Sequence, residues 1–118
     1  MWDKYEKLKL ERYQRFVYTL NQCGKFVIEL SDESIETCIF ENFDIGIRSD
    51  ISDENIEIFL DEGWIDEDIK ERCLRMKRMF LDIQVNQPEI WSIQSIKTSG
   101  YWYKIMELSD EIRSLLYF

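Results

Sequence analysis

Apolar residues along this 118-residue chain recur mostly with helical spacing. Leu10, Tyr13, Val17 and Leu20 step by three and four, and Phe16 widens the stripe, which predicts an amphipathic helix with Gly24 as its C-terminal cap. Ile35, Ile39 and Phe43 keep one face of a second segment. Ile56, Phe59 and Leu60 do the same in a third, which Gly63 ends. The fourth carries the strongest signal. Asp66 is placed to cap it, Glu67 and Asp68 fill the first turn, and Ile69, Cys73, Met76, Phe80 and Ile83 alternate by four and three. Asp68–Arg72 and Glu71–Arg75 have the spacing of exposed ion pairs, acid first. Pro88 closes the stretch, and a short apolar turn surrounds Trp91, Ile93 and Ile96 before Gly100 breaks the chain. Tyr101, Ile105, Leu108, Ile112 and Leu115 then predict a long closing helix that runs into Leu116-Tyr117-Phe118.

Two of these segments open on nearly the same phrase. Leu30-Ser31-Asp32-Glu33-Ser34-Ile35-Glu36 matches Ile51-Ser52-Asp53-Glu54-Asn55-Ile56-Glu57. Serine at the N-cap accepts backbone N–H bonds, the following acids complement the helix dipole, and the apolar pairs Leu30/Ile35 and Ile51/Ile56 have staple spacing. A third echo, Leu108-Ser109-Asp110-Glu111-Ile112, places its isoleucine one position too early and reads as helix interior. Reused capping chemistry explains the echo better than a repeat fold does. Phe26-Val27-Ile28 and Phe43-Asp44-Ile45-Gly46-Ile47 stand apart: the first contains β-branched residues and the second alternates with period two, so a small two-stranded ribbon is an alternative there. The expected fold is mainly α, a compact bundle of about five helices forming one domain over residues 1–118.

Charge narrows the functional classes. The chain has 24 acidic and 15 basic side chains, no histidine and a net charge of -9. That balance argues against direct nucleic-acid binding and against an anionic membrane surface. Without histidine there is no Ser-His-Asp or Cys-His catalysis, no His-ligated zinc and no histidine switch. Three cysteines, Cys23, Cys38 and Cys73, lie far apart with no metal spacing, and an odd thiol would remain in any disulfide framework; they read as free. A cytoplasmic location is the expectation. No apolar run reaches membrane-spanning length, and the opening Met1-Trp2-Asp3-Lys4 leads into mixed charge without a signal-peptide core.

The acid is unevenly placed. Residues 1–25 carry 6 basic and 3 acidic side chains, residues 26–70 carry 2 and 15, and residues 71–118 carry 7 and 6. Helix N-termini account for Asp32, Glu33, Asp53, Glu54, Glu67 and Asp68. They leave Glu41, Asp44, Asp50, Glu57, Asp61 and Glu62, which lie beyond first turns. Concentrated like charge opposes folding by self-repulsion, so a domain that carries it is a candidate for using the field toward a basic partner. Phe40, Phe43 and Phe59 among these acids fit the core stripes. Trp64, flanked by Asp61-Glu62-Gly63 and Ile65-Asp66 at a helix junction, has the setting of an interface anchor.

Catalytic chemistry finds little support. Carboxylate pairs are too numerous to single out a glycosidase dyad. Asp50-x-Ser52-x-Glu54 begins like a calcium loop, but Asn55 stands where the loop needs glycine and Ile56, Ile58 and Phe59 fill its ligand half. The four glycines are isolated, so no phosphate loop exists. No enzyme activity, cofactor or metal is expected.

A small acidic helical chain of this kind resembles bacterial immunity proteins. In particular, Glu41-Asn42-Phe43-Asp44-Ile45-Gly46-Ile47-Arg48-Ser49 before the acidic helix, and Met106-Glu107-Leu108-Ser109-Asp110-Glu111-Ile112, resemble immunity proteins of contact-dependent growth inhibition systems. The resemblance implies a partner, a cognate protein toxin such as a nuclease with a basic cleft. Asp44, Asp50, Asp53, Glu54, Glu57, Asp61 and Glu62 would supply charge to it and Trp64 an anchor. Two alternatives remain: a phage-type nucleic-acid mimic that blocks a host defence nuclease, and a regulatory or scaffold protein that binds through an apolar helical face.

Overall fold

The computed structural model describes residues 3–116. Helix α1 (Lys4–Leu20) is followed by a 3-10 turn (Lys25–Glu29). Next, α2 (Asp32–Ile35) continues through a π-helical stretch (Glu36–Phe43) into α3 (Asp44–Ser49), making one rod over 32–49. Helices α4 (Asp53–Asp61) and α5 (Glu67–Asn86), a second 3-10 turn (Pro88–Ile90), α6 (Ile93–Thr98) and α7 (Gly100–Leu115) complete the chain. The expected mainly-α bundle is the fold observed, with a radius of gyration of 14.6 Å. Residues 117 and 118 of the expected closing segment, and Met1 and Trp2 of the opening one, lie outside the described residues.

Capping fixes the helix starts. Ser31 and Ser52 each accept from the backbone N–H three residues on, at 3.2 Å, and Asp66 accepts from Ile69 at 2.9 Å. Gly63 ends α4 with φ +75°, a left-handed conformation that glycine adopts without penalty. Gly24 does not cap α1, which ends on Leu20 with Asn21 as its C-cap. Gly24 instead sits buried under α7, where an added Cβ would lie 2.5 Å from Asp110 Oδ1 and closer still to the Arg113 guanidinium. Close approach, and not a turn, is what requires glycine there. Gly100 both breaks the chain and opens α7, with Ser99 as the N-cap.

No strand occurs among the described residues, so the ribbon alternative is corrected on both of its segments. Residues 26–28 form part of the 3-10 turn. In 43–47 the alternation of Phe43, Ile45 and Ile47 is accidental: Ile45 is 67% exposed, whereas Phe43, Gly46 and Ile47 are buried together. That is a helical face on which glycine is a silent member.

The π stretch has a readable cause. Ile35, Ile39, Phe43, Ile47 and Ile51 repeat every four residues, and all are 0% exposed. At 3.6 residues per turn a four-residue repeat drifts by about 40° per step and would carry the last position far off the core. Widening to i→i+5 bonding underwinds the rod and holds the row inward.

Helices α5 and α7 pair at the centre, α6 packs on α7, and α1 lies against α3, α4 and α7. One aromatic group joins Phe43, Phe80, Trp91 and Trp102, with Phe80 5.1 Å from Phe43 and 5.4 Å from Trp91. The Trp102 indole N–H donates to Ile90 O at 2.7 Å. A second group joins Tyr13, Phe16, Phe59 and Trp64 between α1 and α4. Burial pushes the Tyr13 hydroxyl up to about 12.

Candidate protein-binding face

The acidic face is built on α4. At 100° per residue, Asp53, Glu54, Glu57 and Asp61 fall within about a 100° arc, while Asn55, Ile56 and Phe59 occupy the buried side. The side chains of Asp53, Glu54 and Glu57 are 86%, 75% and 56% exposed. Between positions 53 and 71 nine carboxylates meet one lysine, so the face continues onto the first turns of α5.

Folding brings basic side chains from elsewhere to most of these acids. Helix α1 runs antiparallel to α4 and places Lys9 2.5 Å from Glu62, Arg12 3.8 Å from Glu54 and Arg15 3.4 Å from Asp50. From α5, Lys70 reaches Glu57 at 2.7 Å and Lys77 reaches Asp53 at 3.8 Å. Asp61 has no ion-pair partner among the described residues. The +3 N-terminal segment and the acidic middle segment are thus two halves of one electrostatic seam.

The eight predicted residues do not form one site. Asp53, Glu54, Glu57 and Asp61 share the exposed arc. Asp50 is turned inward: its side chain is 14% exposed and accepts from the Thr19 hydroxyl at 2.9 Å. Asp44 lies on the opposite rod, paired with Arg48 and accepting from Gln84 Nε2 at 3.0 Å. Glu62 and Trp64 stand at the far end of α4, beside the start of α1. Trp64 is half-buried, its ring 5.2 Å from Tyr13 and 6.1 Å from Phe59.

Sequence reasoning passed over three polar clasps. Asn55, 4% exposed, donates to Asp50 O at 3.1 Å and accepts from Arg12 at 2.9 Å, tying the end of α3 and the side of α1 to α4. The one hint was that Asn55 stands where the matching phrase has Ser34. Ser109, 0% exposed, donates from its hydroxyl at 3.0 Å to Leu20 O at the end of α1, a carbonyl that also accepts from the Cys23 N–H at 3.3 Å. Asp82 accepts from Asn86 at 2.5 Å, Gln87 at 2.9 Å and the Tyr101 hydroxyl at 3.0 Å. Those donors, Asn86 first, hold its carboxyl below the ordinary carboxylate range.

Cys23 and Cys73 are buried and Cys38 is half-buried, all three as free thiols. Burial raises each of them, Cys73 to about 12. Among the described residues no group of three or more His, Cys, Asp or Glu side chains is arranged to hold a metal ion. No helix among them is long and apolar enough to cross a membrane. Fold and surface together define a class: an all-helical domain with an exposed acidic helix face. Compared with known protein families, curated proteins and solved structures, the chain has no match.

Proposed function

We propose that this chain is an immunity-type inhibitor that binds and neutralises a basic protein toxin, a nuclease in the first instance, through the exposed arc of α4. The observation that carries the reading is the projection of Asp53, Glu54, Glu57 and Asp61 from one side of one helix. Their ion pairs do not cancel that role. Exposed pairs contribute about 0–1 kcal/mol each, so a partner's guanidinium exchanges with them at little cost. The mechanism needs no chemistry: the face occupies a basic groove in place of phosphates, steered by a field that has no histidine to switch it off near neutral pH.

The test is capture from the native host on the wild-type protein and on the Asp53→Lys/Glu57→Lys/Asp61→Lys variant, followed by kinetics on the captured nuclease. A basic nuclease held by the wild type, lost by the variant and associating more slowly as salt rises supports the reading. A partner held equally by both proteins overturns it. One observation favours a scaffold reading as the second. Met79, Leu81, Val85 and Tyr101 line an open groove of about 540 Å³ between α5 and α7, with Val85 77% exposed. Retention by the triple variant, with loss on Val85→Asp, would select that apolar face.

A further inference from the structure

At the end of the seam, Asp3, Tyr5, Glu6 and Lys9 of the α1 segment face Glu62 and Trp64 across a cleft of about 320 Å³. Its volume falls within the ~300–1,000 Å³ usual for ligand-holding clefts. Two walls are aromatic and three side chains are carboxylates. The C-terminal end of α4, where backbone carbonyls concentrate negative potential, opens at the same place. Asp3 is committed to capping α1 through the Glu6 N–H at 2.8 Å, whereas the Glu6 carboxylate has no ion-pair partner among the described residues. The cleft already handles a cation: Lys9 Nζ lies 4.6 Å from the centre of the Tyr5 ring and 2.5 Å from Glu62. An aromatic face and a carboxylate converging on one positive group is the arrangement by which proteins recognise cationic side chains.

We propose that this cleft receives one arginine side chain of the basic protein partner, which displaces Lys9 from Glu62 and lies against the Tyr5 and Trp64 rings. Arginine fits better than the resident lysine. Its planar fork meets Glu6 and Glu62 together, and its face stacks on an aromatic ring with less loss of hydration than an ammonium suffers. The inference rests on the inhibitor reading and gives it a specificity element. The arc of α4 attracts any basic surface, whereas the cleft selects one that presents an arginine at its edge. Trp64 then acts at the rim of contact, anchored from behind by Tyr13 and Phe59.

The test is titration of 15N-labelled protein with blocked hexa-arginine peptide at low salt, following the Trp64 indole N–H, assigned with Trp64→Phe, and the α4 backbone amides. The expected result is a saturable Trp64 shift. Its apparent Kd should rise at least fivefold in Glu6→Gln/Glu62→Gln and fall at least threefold in Lys9→Met, which removes the competing cation. Circular dichroism on each variant excludes a folding defect. Movement of the α4 amides without the Trp64 indole overturns the cleft and leaves the acidic face standing, whereas movement of neither removes both. A Trp64 shift whose Kd ignores Lys9→Met and Glu6→Gln/Glu62→Gln also overturns the cleft. So does spermine binding as tightly as the peptide, which would make the site one for free polyamines.

Discussion

Gly46→Ala should destabilise this protein by about 1–2 kcal/mol net, opposite in sign to what a helical glycine ordinarily gives. Gly46 lies inside α3 with no positive φ, so alanine adopts its backbone freely and gains up to ~1 kcal/mol of helix propensity. Space decides the outcome. A Cβ at this position would stand 2.6 Å from Thr19 Cγ2, 2.9 Å from Thr19 Cβ and nearer still to Thr19 Oγ1, far inside the ~3.5–4.0 Å of carbon contact. Thr19 has nowhere to go: it is 1% exposed, and its hydroxyl is engaged with Asp50 at 2.9 Å. Either α1 and α3 move apart, an overpacking cost of ~1–3 kcal/mol, or Thr19 rotates and gives up a hydrogen bond to a carboxylate worth ~1.5–3 kcal/mol.

Urea and thermal unfolding followed by circular dichroism measure this directly. The midpoint of the thermal transition should fall by roughly 4–10 °C for a domain of this size. A double-mutant cycle isolates the cause. Thr19→Ala removes the two nearest atoms, so Gly46→Ala should cost less in that background, with a coupling of at least ~1 kcal/mol. A neutral or stabilising Gly46→Ala, or a cycle without coupling, would refute the argument that the α1–α3 crossing rests on this glycine.

Other outcomes follow from the polar clasps and the thiols. Asn55→Ala should cost about 2–3 kcal/mol in urea unfolding, because the Asp50 carbonyl and the Arg12 guanidinium lose a nearly buried partner. At pH 8 in native conditions Cys38 should react first with a thiol reagent, with Cys23 and Cys73 labelled only in urea, since burial disfavours their thiolates most. Mass spectrometry of the labelled peptides reads this order. The depressed carboxyl of Asp82 contributes stability that is present above the unfolded carboxylate value, about pH 4, and fades as pH falls through its folded value. Tyr101→Phe removes one of its donors, so the urea midpoint should drop less between pH 7 and pH 3 than it does in the wild type.

What was legible in the sequence was legible for local reasons. Ile69, Cys73, Met76, Phe80 and Ile83 on α5 are all buried, and Ser31, Ser52 and Asp66 all cap, because periodicity and capping act within a few residues. The Asp68–Arg72 and Glu71–Arg75 pairs form for the same reason, at 3.4 and 3.7 Å. Misreadings arise where a distant element decides. Gly46 and Gly24 look like punctuation in a linear reading and prove to be places where Thr19 and Arg113 need the room of a side chain. On α1 the buried row is Tyr13, Phe16, Thr19 and Leu20, one step round from the expected stripe, so Leu10 and Val17 are only half-buried. Thr19 takes the inner place because α3 offers it a glycine and Asp50 a hydrogen-bond partner.

The charge pattern shows the same division between what is local and what is not. Along the sequence the acid forms a block. In space, Lys9, Arg12 and Arg15 of α1 face Glu62, Glu54 and Asp50 in antiparallel order, so the segregation is what lets two helices find one register. The seam is uneven along its length. At Asp50 the carboxylate is only 14% exposed and hydrogen-bonded to Thr19, hence structural, although Arg15 beside it faces solvent; at Glu54 the pair spans 3.8 Å in solvent and contributes little. At Glu62 the lysine sits between a carboxylate and an aromatic ring at the mouth of a cleft. This unevenness separates two tasks that one acidic surface would otherwise set against each other. The Thr19–Asp50 hydrogen bond holds α1 to the bundle when a partner removes the outer cations, and the exposed carboxylates of Asp53, Glu54 and Glu57 remain free to exchange theirs. Charge reversal at Asp53, Glu57 and Asp61 should therefore abolish binding while leaving the unfolding midpoint within a few degrees of the wild type, whereas Asp50→Asn should do the reverse.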